Sequence, residues 1–105
     1  MPAPTELQLE AKLFKGLGDH SRLMILETLA DKEKTVSQIV EETKLSQPNT
    51  SAHLACLLEC GLIRKEKRGR EVFYEVSSKE VLEILKQARK ILKKHSKEIY
   101  LCTHY

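Results

Sequence analysis

The 105-residue chain has no tryptophan and only five aromatic residues, Phe14, Phe73, Tyr74, Tyr100 and Tyr105. Rings so few and so scattered do not build the stacking platforms of single-strand and RNA binders. No apolar run approaches the roughly 20 residues of a membrane span. Met1 to Gln8 also lacks the basic stretch and following apolar run of a signal peptide. The expectation is a cytoplasmic protein with no membrane partner. There is no Gly-rich phosphate loop and no thiol beside a base with an orienting third group, so neither an enzyme nor a small-molecule substrate is expected. Internal repeats, low-complexity segments and linkers are absent too. The three cysteines are an odd number, which cannot make a full disulfide framework. In a cytoplasmic chain they should be free, metal-bound or redox-active.

What is present is one domain's worth of chain with a charge polarity hidden in its net +3. Residues 1 to 60 carry six Lys/Arg against nine Asp/Glu, and residues 61 to 105 carry twelve against six. The basic half calls for a polyanion, and with base stacking excluded, duplex DNA is the fitting one.

Apolar periodicity predicts a helix over Leu7, Leu9, Ala11, Leu13, Phe14 and Leu17, closed by Gly16 and Gly18. Asp19 or Ser21 caps a second, with Leu23, Ile25, Leu26 and Leu29 as its inner face. Thr35 precedes a short third helix, and Ser46-Gln47-Pro48 opens a fourth, Gln47 to Glu59, stopped by Gly61. That helix has Leu54, Leu57 and Leu58 on one side and Asn49, His53, Cys56 and Cys60 on the other. Leu62 to Val76 reads as a hairpin with a basic tip. A last helix begins at Ser77 or Ser78 and ends near Lys94 or Lys97. The expected fold is mostly α with a β-hairpin wing: a winged helix-turn-helix, homodimeric through its first and last helices. Residues 1–97 would be the DNA-binding and dimerisation domain and 98–105 a C-terminal tail.

In such a fold the second helix of the turn enters the major groove and the wing lies along the backbone. Ser46, Gln47, Asn49, Thr50, Ser51 and His53 have side chains that bond base edges and phosphates. The wing cations Arg64, Lys65, Lys67, Arg68 and Arg70 would meet phosphates. Ser46 is also the expected helix cap.

Three stretches carry a resemblance: Leu17-Gly18-Asp19-His20-Ser21-Arg22, Ser46-Gln47-Pro48-Asn49-Thr50-Ser51-Ala52-His53-Leu54, and Gly61-Leu62-Ile63 through the hairpin ending Phe73-Tyr74-Glu75-Val76. Together they resemble the ArsR/SmtB family of metal-responsive bacterial repressors over nearly the whole chain. His53-Leu54-Ala55-Cys56-Leu57-Leu58-Glu59-Cys60-Gly61 is similar to the recognition helix of that family's cadmium and lead sensors. The resemblance implies a dimer that holds double-stranded operator DNA until metal binds. Two of the family's metal sites are missing. Thr35-Val36-Ser37-Gln38-Ile39 stands where a cysteine pair is needed, and Ser77 to Leu92 has neither the Asp nor the His of the last-helix site.

Cys56 and Cys60 stand one helical turn apart, with Cβ atoms roughly 5 to 6 Å from each other. Thiolates sharing a tetrahedral zinc, at about 2.3 Å each, would be about 3.8 Å apart, which side-chain rotation can supply. A third thiol, Cys102, lies in the polar end Cys102-Thr103-His104-Tyr105. Read as an extended tail from Glu98, that end reaches on the order of 25 Å, to its own recognition helix or to a partner's. The resemblance implies the partner's. Three thiolates favour Cd(II) or Pb(II) as effector, with Zn(II), Hg(II) and As(III) as competitors, and His104 or His53 as a fourth ligand. The alternative is a thiol-based redox-responsive winged-helix repressor, with Cys102 joined to Cys56 or Cys60.

Overall fold

The computed structural model describes residues 2–104. Short-range hydrogen bonding decides where most of its helices begin. Helix α1, Glu6–Leu17, starts with a reciprocal cap: Gln8 N–H donates to Thr5 Oγ1 at 3.1 Å and Thr5 N–H to Gln8 Oε1 at 2.8 Å. Of the two expected caps for α2, His20–Asp31, the structure uses Asp19, which accepts the Arg22 N–H at 3.0 Å. Thr35 and Gln38 repeat the reciprocal arrangement at α3, Val36–Thr43. After α3 the chain turns through Lys44, in the left-handed region at φ 63°, and Ser46 caps α4, Gln47–Glu59. The α3-turn-α4 unit is the expected helix-turn-helix.

Gly61, at φ 76°, ends α4. Its N–H bonds Leu58 O at 3.1 Å and the Leu62 N–H reaches Leu57 O at 3.0 Å, the pair of bonds that satisfies a helix's last carbonyls. The chain then enters β1, Ile63–Arg68, which pairs antiparallel with β2, Glu71–Val76, from Ile63 opposite Val76 to Arg68 opposite Glu71. That register leaves a two-residue turn, Gly69-Arg70, and Gly69 takes φ 63° there, a region few residues but glycine enter cheaply. Lys34 adds a one-residue bridge to Tyr74 on the other edge of β2. Its buried ammonium (4% exposed) donates to Thr28 O and Glu42 Oε2, each at 2.7 Å. The loop before α3, the wing and the end of α2 are thereby joined.

The core gathers Ile25, Leu26 and Leu29 of α2, Ile39 of α3, Leu54 and Leu57 of α4, Leu62, Ile63 and Val76 at the wing's base, and Leu17 of α1. Each full burial of a side chain this size is worth about 1.5–3 kcal/mol. The last helix, α5, Lys79–Leu101, starts at Ser78 and contributes Val81 and Leu85 to that core. Residues 86–101 are exposed throughout. The projecting helix raises the radius of gyration to 15.2 Å, against about 13 Å for a compact chain of this length.

The end of α5 departs from the sequence reading. The helix does break near the expected place, at His95, with φ −128° and ψ 21°, but it then resumes to Leu101, and Cys102 caps it by donating its N–H to Glu98 O at 3.0 Å. Neither glycine nor proline follows Lys97 to stop it. The division at residue 97 therefore falls inside a helix, and 98–101 are not an extended tether. Among the described residues, Cys102, Thr103 and His104 extend beyond it, about 10 Å of chain. Tyr105 and Met1 lie outside the described residues.

Candidate nucleic-acid interface and thiol site

The start of α4 is a polar, solvent-facing surface. Ser46, Gln47, Asn49 and Ser51 are exposed. Ser46 is the cap, its Oγ accepting the Asn49 N–H at 3.2 Å. His53 is half-buried and faces the N-terminus of α2. The Asp19 carboxyl is held below its usual range chiefly by the Arg22 backbone N–H, with the charges of Arg22 and His53 adding to it.

Thr50 does not belong to this surface. It is 0% exposed, and among the described residues its hydroxyl is the one buried side-chain polar atom without a hydrogen-bond partner. It lies four and seven residues before Leu54 and Leu57, on the inward stripe of the same helix, where DNA cannot reach it. That spacing was the sequence signal for its burial.

The wing sorts its cations by strand alternation. Arg64, Glu66 and Arg68 share a face with Phe73 and Glu75, while Lys65 and Lys67 share the opposite face with Val72 and Tyr74. On the first face the guanidiniums are already engaged. Arg64 donates to Glu75 at 2.6 Å, and Arg68 to Glu33 and Glu66. Lys65, Lys67 and Arg70 are exposed and form no ion pair among the described residues. Of the five wing cations expected to meet phosphates, these three are the ones without a carboxylate partner among the described residues. The pairing of Arg68 with a residue 35 positions away has no signature in the sequence.

At the other end of α4 stand the thiols. Cys56 is half-buried. Cys60 is exposed at the C-cap, its N–H donating to Cys56 O at 3.0 Å. Leu9, Lys12, Leu13 and Gly16 of α1, with Glu59 and Leu62, form an open cleft of about 290 Å³ around Cys60. Desolvation there, and the adjacent Cys56 thiol, push the Cys60 thiol above its usual value; the ammonium of Lys12 acts the other way. The α1 wall was not anticipated, since nothing local marks Lys12 as a neighbour of Cys60. Two thiols one turn apart are a fitting half-site for a thiophilic ion. Cys102 is half-buried at the end of α5 and His104 is exposed beyond it. Among the described residues no three His, Cys, Asp or Glu side chains come together, so one protomer does not bring Cys102 to the pair.

Residues 19–65 match the family model described as bacterial regulatory protein, arsR family. The probable mercury resistance operon repressor of Streptomyces lividans is 31% identical over 89% of this chain and 74% of its own length. The crystal structure of Mycobacterium tuberculosis Rv0081 superposes with TM-score 0.84 at 25% identity, covering 93% of this chain and 99% of that one. The homodimeric winged helix-turn-helix domain of Mycobacterium bovis Mb0332 shares the fold, at TM-score 0.79 and 24% identity over 100% and 99% of the two chains. A winged helix-turn-helix with these relatives belongs to the arsR family of bacterial DNA-binding transcriptional regulators.

Proposed function

We propose that the protein is a metal-responsive repressor that binds operator DNA as a homodimer and releases it when a soft heavy metal, Cd(II) or Pb(II), occupies a site built on Cys56 and Cys60. One observation carries this reading: the thiol pair and a polar, exposed surface occupy opposite ends of a single thirteen-residue helix, α4. A ligand gripping the C-terminal end therefore acts on the element that enters the groove. Cys102 is the candidate third ligand and His104 the candidate fourth. Because Cys102 does not meet Cys56 and Cys60 within one protomer, the partner subunit's Cys102 completes the set. A mercury-resistance relative accords with a thiophilic effector.

Dimerisation is supported by apolar surface that one protomer leaves open. Leu7 (74% exposed), Leu9 and Phe14 lie on α1, and Ile91 (56%) and Leu92 on α5. A second copy covers both helices at once, as is usual for symmetric regulators. Gln47, Asn49, Ser51 and His53 would then read base edges, and Lys65, Lys67 and Arg70 would lie on phosphates.

The test uses the tightest duplex selected from a random-sequence pool, with fluorescence anisotropy in the absence and presence of Cd(II), Pb(II) or Zn(II). Saturating effector is expected to weaken binding by about 5- to 150-fold, the usual range of such coupling. Unchanged affinity with all three metals would overturn the reading. A loss of affinity with peroxide in metal-free buffer would assign the thiols to redox sensing instead.

A further inference from the structure

One side chain ties the tip of the wing to the body of the domain. Arg68, the last residue of β1, donates from its two terminal nitrogens to the two carboxylate oxygens of Glu33, at 2.5 and 2.8 Å. One of those nitrogens also reaches Glu66 at 2.9 Å. The guanidinium carbon sits 5.0 Å from the centroid of the Phe73 ring. Glu33 belongs to the loop between α2 and α3, beside Lys34, whose backbone pairs with Tyr74 of β2. The wing is thus attached at two places, by main chain at Lys34 and by side chain at Arg68. A hairpin attached only at its base can pivot, whereas a second attachment at the tip fixes its angle.

The charges around Arg68 argue against its use on DNA. One guanidinium faces two carboxylates, so the cluster carries a net −1 and repels phosphate. A lone exposed ion pair contributes little. A two-bond fork with an aromatic ring on the guanidinium is the arrangement in which arginine holds a defined geometry.

We propose that Arg68 is a positioning residue: it clamps the wing to the α2–α3 loop and sets the wing's angle on the DNA backbone, leaving the phosphates to Lys65, Lys67 and Arg70. The proposal rests on the reading that the wing lies on DNA, and the experiment separates the two. Anisotropy titrations on the selected duplex, over a range of salt concentrations, compare the wild type with Glu33→Gln, Arg68→Gln, Arg68→Lys and Lys67→Gln.

Glu33→Gln discriminates by sign. Removing a carboxylate near DNA and freeing a guanidinium raises affinity on electrostatic grounds alone, whereas loss of the clamp lowers it, on the order of fivefold. Arg68→Gln is expected to weaken binding without changing the slope of log affinity against log salt. Arg68→Lys, which keeps the charge but not the fork, should behave the same way. Lys67→Gln is expected to flatten the slope by about 0.9, the signature of one lost phosphate contact. Tighter binding by Glu33→Gln, or a slope change in Arg68→Gln equal to that in Lys67→Gln, overturns the clamp and makes Arg68 a phosphate ligand. If Lys67→Gln leaves the slope unchanged as well, and Lys65→Gln and Arg70→Gln do likewise, the wing is not on DNA and both readings fall.

Discussion

The backbone N–H of Cys60 donates to the carbonyl of Cys56 at 3.0 Å, so the two thiols project from the last turn of α4 at a separation the helix itself sets. Neither has to be recruited from another element, whereas the proposed third ligand, Cys102, must arrive from elsewhere. The three cysteines are therefore expected to respond differently to substitution. Cys102→Ser should leave metal-free operator affinity at the wild-type value and reduce the metal-induced loss at least tenfold, since the pair alone is half a site. Cys56→Ser and Cys60→Ser should each sharply reduce the near-ultraviolet sulfur-to-metal absorption expected of the wild type on adding Cd(II). Wild-type absorption in the Cys60→Ser variant would remove Cys60 from the site.

Thr50 offers a test of which face of α4 meets DNA. Its hydroxyl is buried without a partner, a state that costs free energy relative to an apolar group of the same shape. Thr50→Val keeps the shape and removes the orphan. It is expected to raise stability by about 0.5–1 kcal/mol in urea unfolding, with operator affinity unchanged. A folded Thr50→Val protein that has lost operator binding would return Thr50 to the DNA-facing surface.

These two sites also show where the sequence was legible. Ser46 is legible as a cap, and Asp19 and Ser78 each as one of two candidates, because a cap is settled within four residues, and the hairpin follows from alternation about Gly69. The thiol pair was visible for the same reason, its spacing being that of one helical turn. Thr50 was misread because its hydroxyl suggests DNA chemistry while its position, one turn before Leu54, assigns it to the core. The continuation of α5 past His95 had no local marker. The engagement of Arg68 with Glu33 and the approach of Lys12 to Cys60 depend on how distant elements pack, which periodicity in a single chain does not encode.

Asp19 predicts a pH dependence. Its carboxyl caps α2 and sits below its usual range, chiefly through the Arg22 N–H and then through the charges of Arg22 and His53. A folded-state value below the unfolded one means the ionised cap contributes stability above the unfolded pKa of about 3.9. That contribution is lost as pH falls through the lower, folded value. Asp19→Ala is expected to cost about 1 kcal/mol near neutral pH. Asp19→Asn, which keeps an acceptor without the charge, should cost less. In urea unfolding, the gap between wild type and Asp19→Asn should close as pH drops below the folded-state value. A gap that persists fully into acid would show that the charge is not what the cap uses.

The exposed apolar residues of α1 and α5 make the strongest demand on a second protomer. Phe14 is 53% and Ile91 56% exposed, yet both face a shared apolar hollow with Ile84 and Ala88. Neither belongs to the buried core, so Phe14→Glu and Ile91→Glu should preserve the helical circular dichroism of the protomer. A carboxylate there would have to be buried unpaired against the partner, a cost of several kcal/mol, and sedimentation should find monomers at concentrations where the wild type is dimeric. Operator affinity should fall with it, because two half-sites are then bound independently and the benefit of linking two recognition helices is lost. Variants that remain dimeric would move the interface away from α1 and α5. Variants that become monomeric but keep full operator affinity would show that a single α4 and wing suffice for binding.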